Sequence, residues 1–296
     1  MRFSFFKGCF IPVRQPHIEK TAQIVLPELG VELAPVQGFT CCPEPIGVGV
    51  NHKLTGTVIS ARNLALAEEA GHDVITLCNG CTYSLKQTNI MLKGDEELRE
   101  KVNAILSETD HQFRGTVEVR HFAQVLLEDV GLEKIQTKAE KKLTGLKVAS
   151  HTGCHILSPP EIMGFDDPQD PVRLDRLVGA LGAEPIDYLY KTQCCGWTLS
   201  NYGDRAAANR LLGDKLTAMN EAGADCVNLI CPQCLAQFDT GQMLAGRALK
   251  LGFRLPALFY LQLLGLSMGL SLDEVGYPKH RVRDSGFEER MGGILG

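Results

Sequence analysis

The chain has 296 residues, 44% hydrophobic and 22% charged, with a formal net charge of −5. It is long and apolar enough for two folded domains, which excludes a mainly disordered chain, and its acidic balance argues against nucleic acid as a partner. Eleven cysteines stand out; the start, "MRFSFFKGCFIPVRQP", has no signal-peptide pattern, so they predict metal or redox chemistry in the cytoplasm rather than a secreted disulfide framework.

In chain order, "FSFF" (3–6) predicts a short buried strand that runs into Gly8 and Cys9. Val58, Ala61, Leu64 and Ala65 recur at helical spacing, with Gly71 as the stop. "DVITL" (73–77) predicts a strand leading straight into Cys78-x-x-Cys81. The polar stretch "QTKAEKKLTG" (136–145) predicts a boundary, giving modules at 1–143 and 144–296. Beyond it, "LKVAS" (146–150) predicts a second opening strand and "MGFDDPQDP" (163–171) a loop insertion. Leu211, Leu212, Leu216 and Met219 mark a helix ahead of Gly223, and "VNLI" (227–230) a strand entering Cys231-x-x-Cys234. The run 255–272 contains Pro256 and Gln262. It falls short of the roughly 20 apolar residues of a spanning helix, which predicts a buried or partner-facing helix and no membrane insertion. Alternating strands and helices predict two α/β modules with largely parallel sheets, whose cysteines gather at the carboxyl ends of strands.

The cysteines disclose a duplication. They fall at 9, 41, 42, 78 and 81, then at 154, 194, 195, 231 and 234, with Cys226 left over. Each set reads Cys, a gap, Cys-Cys, a gap, Cys-x-x-Cys. The second gap is 35 residues in both copies, 43–77 and 196–230. The flanks repeat as well: "EAGHDVITLCNGC" (69–81) echoes "EAGADCVNLICPQC" (221–234). One module has been copied. Cys226, without a counterpart, reads as a buried free thiol.

Adjacent cysteines are poor disulfide partners, because neighbouring Cα atoms lie about 3.8 Å apart against the usual roughly 4.4–6.8 Å. Thiolates are soft ligands for zinc, copper(I) and iron–sulfur clusters. A tetrahedral zinc or a conventional cubane needs four ligands and leaves one sulfur over in each module. A polynuclear cluster with one bridging thiolate would use all five. A fifth thiolate adds negative charge, which calls for N–H donors or cations nearby; Lys7, His151 and Lys191 are the candidates beside the motifs.

The pattern Cys9…Cys41-Cys42…Cys78-x-x-Cys81 and Cys154…Cys194-Cys195-Gly196…Cys231-x-x-Cys234 resembles the cysteine-rich CCG-domain family and, over its full length, the B subunit of heterodisulfide reductase. The first pair is followed by Pro43 where the family motif has glycine. The resemblance implies two noncubane [4Fe–4S] clusters, one on each set of five cysteines, flanking a site where the mixed disulfide of coenzyme M and coenzyme B is reduced. It also implies electrons delivered by an iron–sulfur protein, the C subunit, from the flavin-containing A subunit. Disulfide reduction takes two electrons, so two one-electron centres facing one S–S bond suit the reaction. His151, His155 and Lys191 are the candidate proton donors or substrate contacts, with Trp197 beside the second motif and better suited to packing. The basic stretch "YPKHRVR" (277–283) is a candidate docking segment for a partner protein of the complex. Two other readings stay open: a CCG-type electron-transfer subunit of another oxidoreductase (hydroxy-acid, fumarate-linked or sulfur-metabolising), and a zinc-stabilised scaffold.

Overall fold

The structure is a computed structural model that describes residues 1–44 and 46–296. Eight strands form two four-stranded parallel sheets. The first contains β1 (Arg2–Phe6), β2 (Glu32–Ala34), β3 (Val74–Thr76) and β4 (Val119–His121) in the order β2-β1-β3-β4. The second contains β5 (Lys147–His151), β6 (Glu184–Ile186), β7 (Cys226–Leu229) and β8 (Ala257–Phe259) in the order β6-β5-β7-β8. The inner strands β1, β3, β5 and β7 are buried almost throughout, as parallel sheets covered on both faces require. The expected duplicated α/β architecture is therefore observed, with identical topology in both copies.

In each sheet the chain leaves the first strand for one side, then returns to its other side. The switch point lies between β1 and β3, and between β5 and β7. Crevices at such points, beyond the carboxyl ends of the strands, are where open α/β sheets hold ligands. Cys9 and Cys78 follow β1 and β3; Cys154 and Cys231 follow β5 and β7.

The halves share one continuous core and exchange helices. Helix Tyr260–Ser267, which follows β8, packs on helix Pro16–Glu28 of the first half. A Cβ on Gly265 would crowd Val275 Cγ1 at 3.0 Å and Leu270 Cδ1 at 3.1 Å, so the glycine lets the segment after the helix fold back closely. Helix Leu132–Lys138, from the end of the first half, packs reciprocally on helix Arg173–Ala180.

One segment departs from the sequence reading, and two others gain detail. The run 255–272 is not one helix: residues 257–259 pair as strand β8 with β7, and only Tyr260–Ser267 is α-helical. An unbroken apolar run shows no period by which strand and buried helix can be told apart. The insertion 163–171 is more than a solvated loop. It begins at the end of helix Pro160–Met163, and Met163 and Phe165 are fully buried. Lys86 Nζ (3.0 Å) and Gln124 Nε2 (3.3 Å) both donate to the Met163 carbonyl, tying the insertion to the first half. The polar stretch 136–145 starts inside helix Leu132–Lys138. No helix among the described residues is long and apolar enough to cross a membrane.

Candidate metal centre

The opening cysteine of each module follows a glycine with positive φ, Gly8 at +64° and Gly153 at +86°. These turns need glycine for space as well as for conformation. A Cβ on Gly8 would sit 3.0 Å from Cys81 Sγ, and one on Gly153 would sit 3.4 Å from Cys234 Sγ and 2.6 Å from Asn79 Nδ2. The Cys41-Cys42 loop is held from helix Lys53–Ala70: Asn63 Oδ1 accepts the Thr40 N–H (2.9 Å), and Asn63 Nδ2 donates to the Cys41 carbonyl (3.1 Å). Cys78 and Cys231 stand at the N-caps of helices Asn79–Gly94 and Pro232–Ala236, which carry Cys81 and Cys234 in their first turns.

All ten repeated cysteines converge. Cys9 Sγ lies 3.8 Å from Cys41 Sγ, and Cys195 Sγ 3.6 Å from Cys234 Sγ. Further thiol contacts join Cys41 to Cys42, Cys42 to Cys81 and Cys81 to Cys78. The second module repeats them, Cys154 to Cys194, Cys194 to Cys195 and Cys234 to Cys231. Cys78 neighbours Cys231 across the interface, near enough for each to shift the other's ionisation. The sulfurs thus form one row, 9–41–42–81–78–231–234–195–194–154, with the two Cys-x-x-Cys motifs at its middle. Cys226 is wholly buried in β7 and outside the row.

The row is electrostatically crowded. Hydrogen bonding from a neighbouring thiol pulls Cys42, Cys194 and Cys231 down. The same bonds, seen from the other partner, push Cys9, Cys78, Cys81, Cys154, Cys195 and Cys234 up, with desolvation adding to the effect. Thiols so packed and desolvated ionise together only around positive charge, which is what a soft metal core supplies. The donor set fits an iron–sulfur centre. Backbone donors complete it: Gly196 N–H points at Cys194 Sγ (3.4 Å), and the Asn79 and Cys234 N–H groups at Cys231. Such donors offset the charge on ligating sulfur. A smaller grouping is also present, with ligand atoms of His151, Cys195 and Cys234 mutually within 4.8 Å. A single tetrahedral metal there would leave most of the row unused.

The two halves are locked together beside the row. Asn79 Nδ2 donates to the Thr152 carbonyl (2.8 Å) and Gln15 Nε2 to the Pro232 carbonyl (3.0 Å). A cavity over the first five cysteines is lined also by Lys7, Glu44 and Gly80, and by Pro232 and Gln233 of the second half. His155 borders Gly80, its Nδ1 lying 4.0 Å from where a Cβ there would be, and stacks on Tyr83 with ring centroids 5.7 Å apart. Trp197 meets Phe10 edge-on at 5.4 Å.

The cations expected near the motifs are there but not free: two are paired with carboxylates and one is uncharged. Lys7 pairs with Glu19 at 2.8 Å, and Lys191 with Asp175 at 2.6 Å, whose carboxylate raises the Lys191 pKa against its partial burial. His151 is buried and held uncharged by desolvation and by the adjacent Lys215. Lys215 itself is absent from the candidates the sequence offered. It is fully buried, its Nζ 3.2 Å from His151 Nδ1 and 3.1 Å from the Lys191 carbonyl, and it also donates to the Gln193 carbonyl. Burial pushes its pKa down to about 8, opposed by the Cys195 and Cys234 sulfurs. A signal existed: Leu212, Leu216 and Met219 form an apolar helical stripe, and Lys215 lies on it. In the basic stretch 277–283, Tyr277, His280 and Val282 are buried, and the Asp239 carboxylate accepts the Arg281 and Val282 N–H groups.

This fold and this row of thiols define a duplicated, cysteine-rich α/β protein built to hold iron and sulfur and to transfer electrons. The chain belongs to the CCG cysteine-rich domain family, whose profile matches residues 3–86 and 148–239. It is 37% identical, over 97% of its length and 95% of the relative's, to the B subunit of the ferredoxin/F(420)H(2)-dependent CoB-CoM heterodisulfide reductase of Methanosarcina acetivorans. It is 32% identical, over 96% of its length and 97% of the relative's, to the 8-methylmenaquinol:fumarate reductase membrane anchor subunit of Wolinella succinogenes. A crystal structure of a hypothetical protein from Helicobacter pylori shares the fold with a TM-score of 0.75 at 14% identity. The match covers 96% of this chain and 52% of that longer one.

Proposed function

We propose that the protein is the disulfide-cleaving component of a heterodisulfide reductase, with two noncubane [4Fe–4S] clusters held by Cys9, Cys41, Cys42, Cys78 and Cys81 and by Cys154, Cys194, Cys195, Cys231 and Cys234. The modules divide at residues 143 and 144. The observation that carries this reading is that Pro232 and Gln233, inside the second Cys-x-x-Cys motif, line the cavity over the first five cysteines, because two one-electron centres can share a disulfide only if they adjoin. When bound, the clusters supply one electron to each half of the disulfide.

The chain's own residues bind, orient and protonate. Gly80 leaves the first centre open where Gln233 of the second half overhangs it, and a substrate disulfide enters along that edge. His155, held flat against Tyr83 beside Gly80, is the group best placed to give a proton to a departing thiolate. His151 and Lys191 take supporting roles, His151 through Lys215 and Lys191 through its carbonyl. Arg14, Lys279 and Arg281 line a cleft between the modules that opens beside Phe10 and Trp197 and offers cationic partners to an acidic substrate end. The names of the methanosarcinal relatives support the coenzyme M–coenzyme B disulfide as substrate; an iron–sulfur C subunit and a flavin-containing A subunit, in the cytoplasm, are the partners that the resemblance to the heterodisulfide reductase family implies.

One observation favours a second reading. The two cysteine sets adjoin at the cavity lined by Pro232 and Gln233, which also suits a pure electron relay, and a fumarate reductase subunit is among the relatives. Anaerobic turnover separates the two. Protein loaded with iron and sulfide is expected to reduce the coenzyme M–coenzyme B disulfide faster than other thiol conjugates, given a strong reductant. Loaded protein that passes electrons between carriers but leaves every disulfide intact is a relay, and zinc in place of iron removes both readings.

A further inference from the structure

The two modules are alike in sulfur and unlike in charge. Helices Lys53–Ala70 and Arg205–Glu221 end at equivalent glycines, Gly71 and Gly223. Eight residues before each stand Asn63 and Lys215. Both side chains hold the backbone ahead of the Cys-Cys pair, Asn63 through Thr40 and Cys41 and Lys215 through the Lys191 and Gln193 carbonyls. At the last residue of the opening strand, the first module has Phe6 and the second has His151, which contacts Lys215. The same structural task is thus done by a neutral amide in one half and by an ammonium ion in the other.

Lys215 is fully buried, and no carboxylate among the described residues pairs with it. A lone buried cation is costly unless negative charge lies close by. The second set of sulfurs is one contact away. His151, whose Nδ1 is 3.2 Å from Nζ, has a ring nitrogen within 4.8 Å of the Cys195 and Cys234 sulfurs. Gln193, whose carbonyl accepts from Nζ, directly precedes Cys194. These sulfurs favour the charged form of Lys215. Tyr188 adds a ring face 6.0 Å from Nζ. Carbonyls could be held by an amide, as Asn63 shows. What the ammonium adds is charge beside the second set of ligands only.

We propose that Lys215 is the built-in counter-charge of the second centre, and that it makes this centre the easier of the two to reduce. The inference rests on the cluster reading above. A fixed positive charge in a desolvated site stabilises the state with one more electron, so the centre without it has the lower potential. An electron arriving at the joined pair then settles on the Cys154–Cys234 side before the Cys9–Cys81 side.

The test is a redox titration of the iron-loaded protein, followed by electron paramagnetic resonance, with Cys9→Ser and Cys154→Ser used to assign the two signals. In the native protein the second centre is expected to reduce first. Lys215→Met is expected to shift its reduction equilibrium at least tenfold, about 59 mV downward for one electron, and to leave the first centre unmoved. Lys215→Arg is expected to restore most of the shift. Equal potentials in the native protein, a higher potential for the first centre, or a Lys215→Met variant that keeps its iron and its potential would each overturn the proposal. If Lys215→Met loses the second centre, the native order alone decides. Protein that takes up no iron overturns the cluster reading itself, which iron analysis reveals before any titration.

Discussion

Asn79, the residue after Cys78, donates its Nδ2 to the Thr152 carbonyl of the second module at 2.8 Å, and Cys78 and Cys231 lie near enough across that boundary for each to shift the other's ionisation. These two cysteines cap equivalent helices after equivalent strands, so the boundary lies where the duplication folds back on itself. Asn79 also directs its N–H toward Cys231. The helix exchange, Tyr260–Ser267 onto Pro16–Glu28 and Leu132–Lys138 onto Arg173–Ala180, joins the same two halves a second time.

Removing a ligand near one end of the row should act on one module. Cys194 contacts Cys154 and Cys195 and accepts the Gly196 N–H, but it touches no sulfur of the first half. Cys194→Ala is expected to halve the iron content of anaerobically loaded protein and to abolish disulfide reduction, with the first centre's spectrum retained. Iron analysis and electron paramagnetic resonance check this; full iron content with native activity would remove Cys194 from the ligand set.

Gly153 is a sharper structural test, because its constraint is double. Its φ is +86°, and a Cβ would fall 2.6 Å from Asn79 Nδ2 and 3.4 Å from Cys234 Sγ. Gly153→Ala should cost on the order of 1–3 kcal/mol from backbone strain, and displacing Asn79 should weaken its bond to the Thr152 carbonyl. Denaturant unfolding is expected to show the loss, and the second centre to assemble more slowly. Gly71→Ala, where a Cβ meets nothing within 4 Å but φ is +74°, isolates the conformational share.

Much of this was legible in the cysteines. Their spacing carried the duplication, because a ligand set constrains sequence wherever it must recur, and the alternation of apolar strand and helix patterns around them carried the parallel α/β modules and the collection of sulfur at strand ends. What joins the modules was not legible. Asn79, Gln15 and His121 bind backbone carbonyls of the other half, Thr152, Pro232 and Ile230, and a bond to a carbonyl requires no particular residue type opposite. Lys215 escaped a search for charge close to the motifs, because helix Arg205–Glu221 delivers it from beyond the loop. The segment 255–272 was ambiguous for a different reason, since it serves both as a sheet strand and as a cover for the other half, and either role calls for an unbroken apolar run.

Acid should loosen the protein in a defined window. Burial holds His17 and His280 down to about 4 and His121 down to about 3, each below the ordinary histidine value. All three are favoured uncharged in the fold, so the folded state binds fewer protons than the unfolded chain. Their contribution is complete above about pH 6.5 and is lost as pH falls toward 4. For His280, which is 5% exposed and bonded to Gln262 Nε2 at 2.9 Å, the loss between pH 7 and pH 5 is about 2 kcal/mol. His280→Gln is expected to be less stable at pH 7 and to lose correspondingly less on acidification, as read from urea midpoints at the two pH values.

His155 offers the most direct test of proton supply. It is partly exposed, stacked on Tyr83 and next to Gly80, so phenylalanine can keep the ring contact while removing both nitrogens. His155→Phe is expected to leave iron content and both centre spectra unchanged and to lower kcat for the disulfide by about tenfold to a thousandfold, the range of a general acid. In His155→Ala, which removes the ring and leaves space at the open edge beside Gly80, a small external acid such as imidazolium should restore part of the rate. If kcat of His155→Phe is unchanged and only KM rises, His155 orients the substrate and the proton comes from solvent along that same edge.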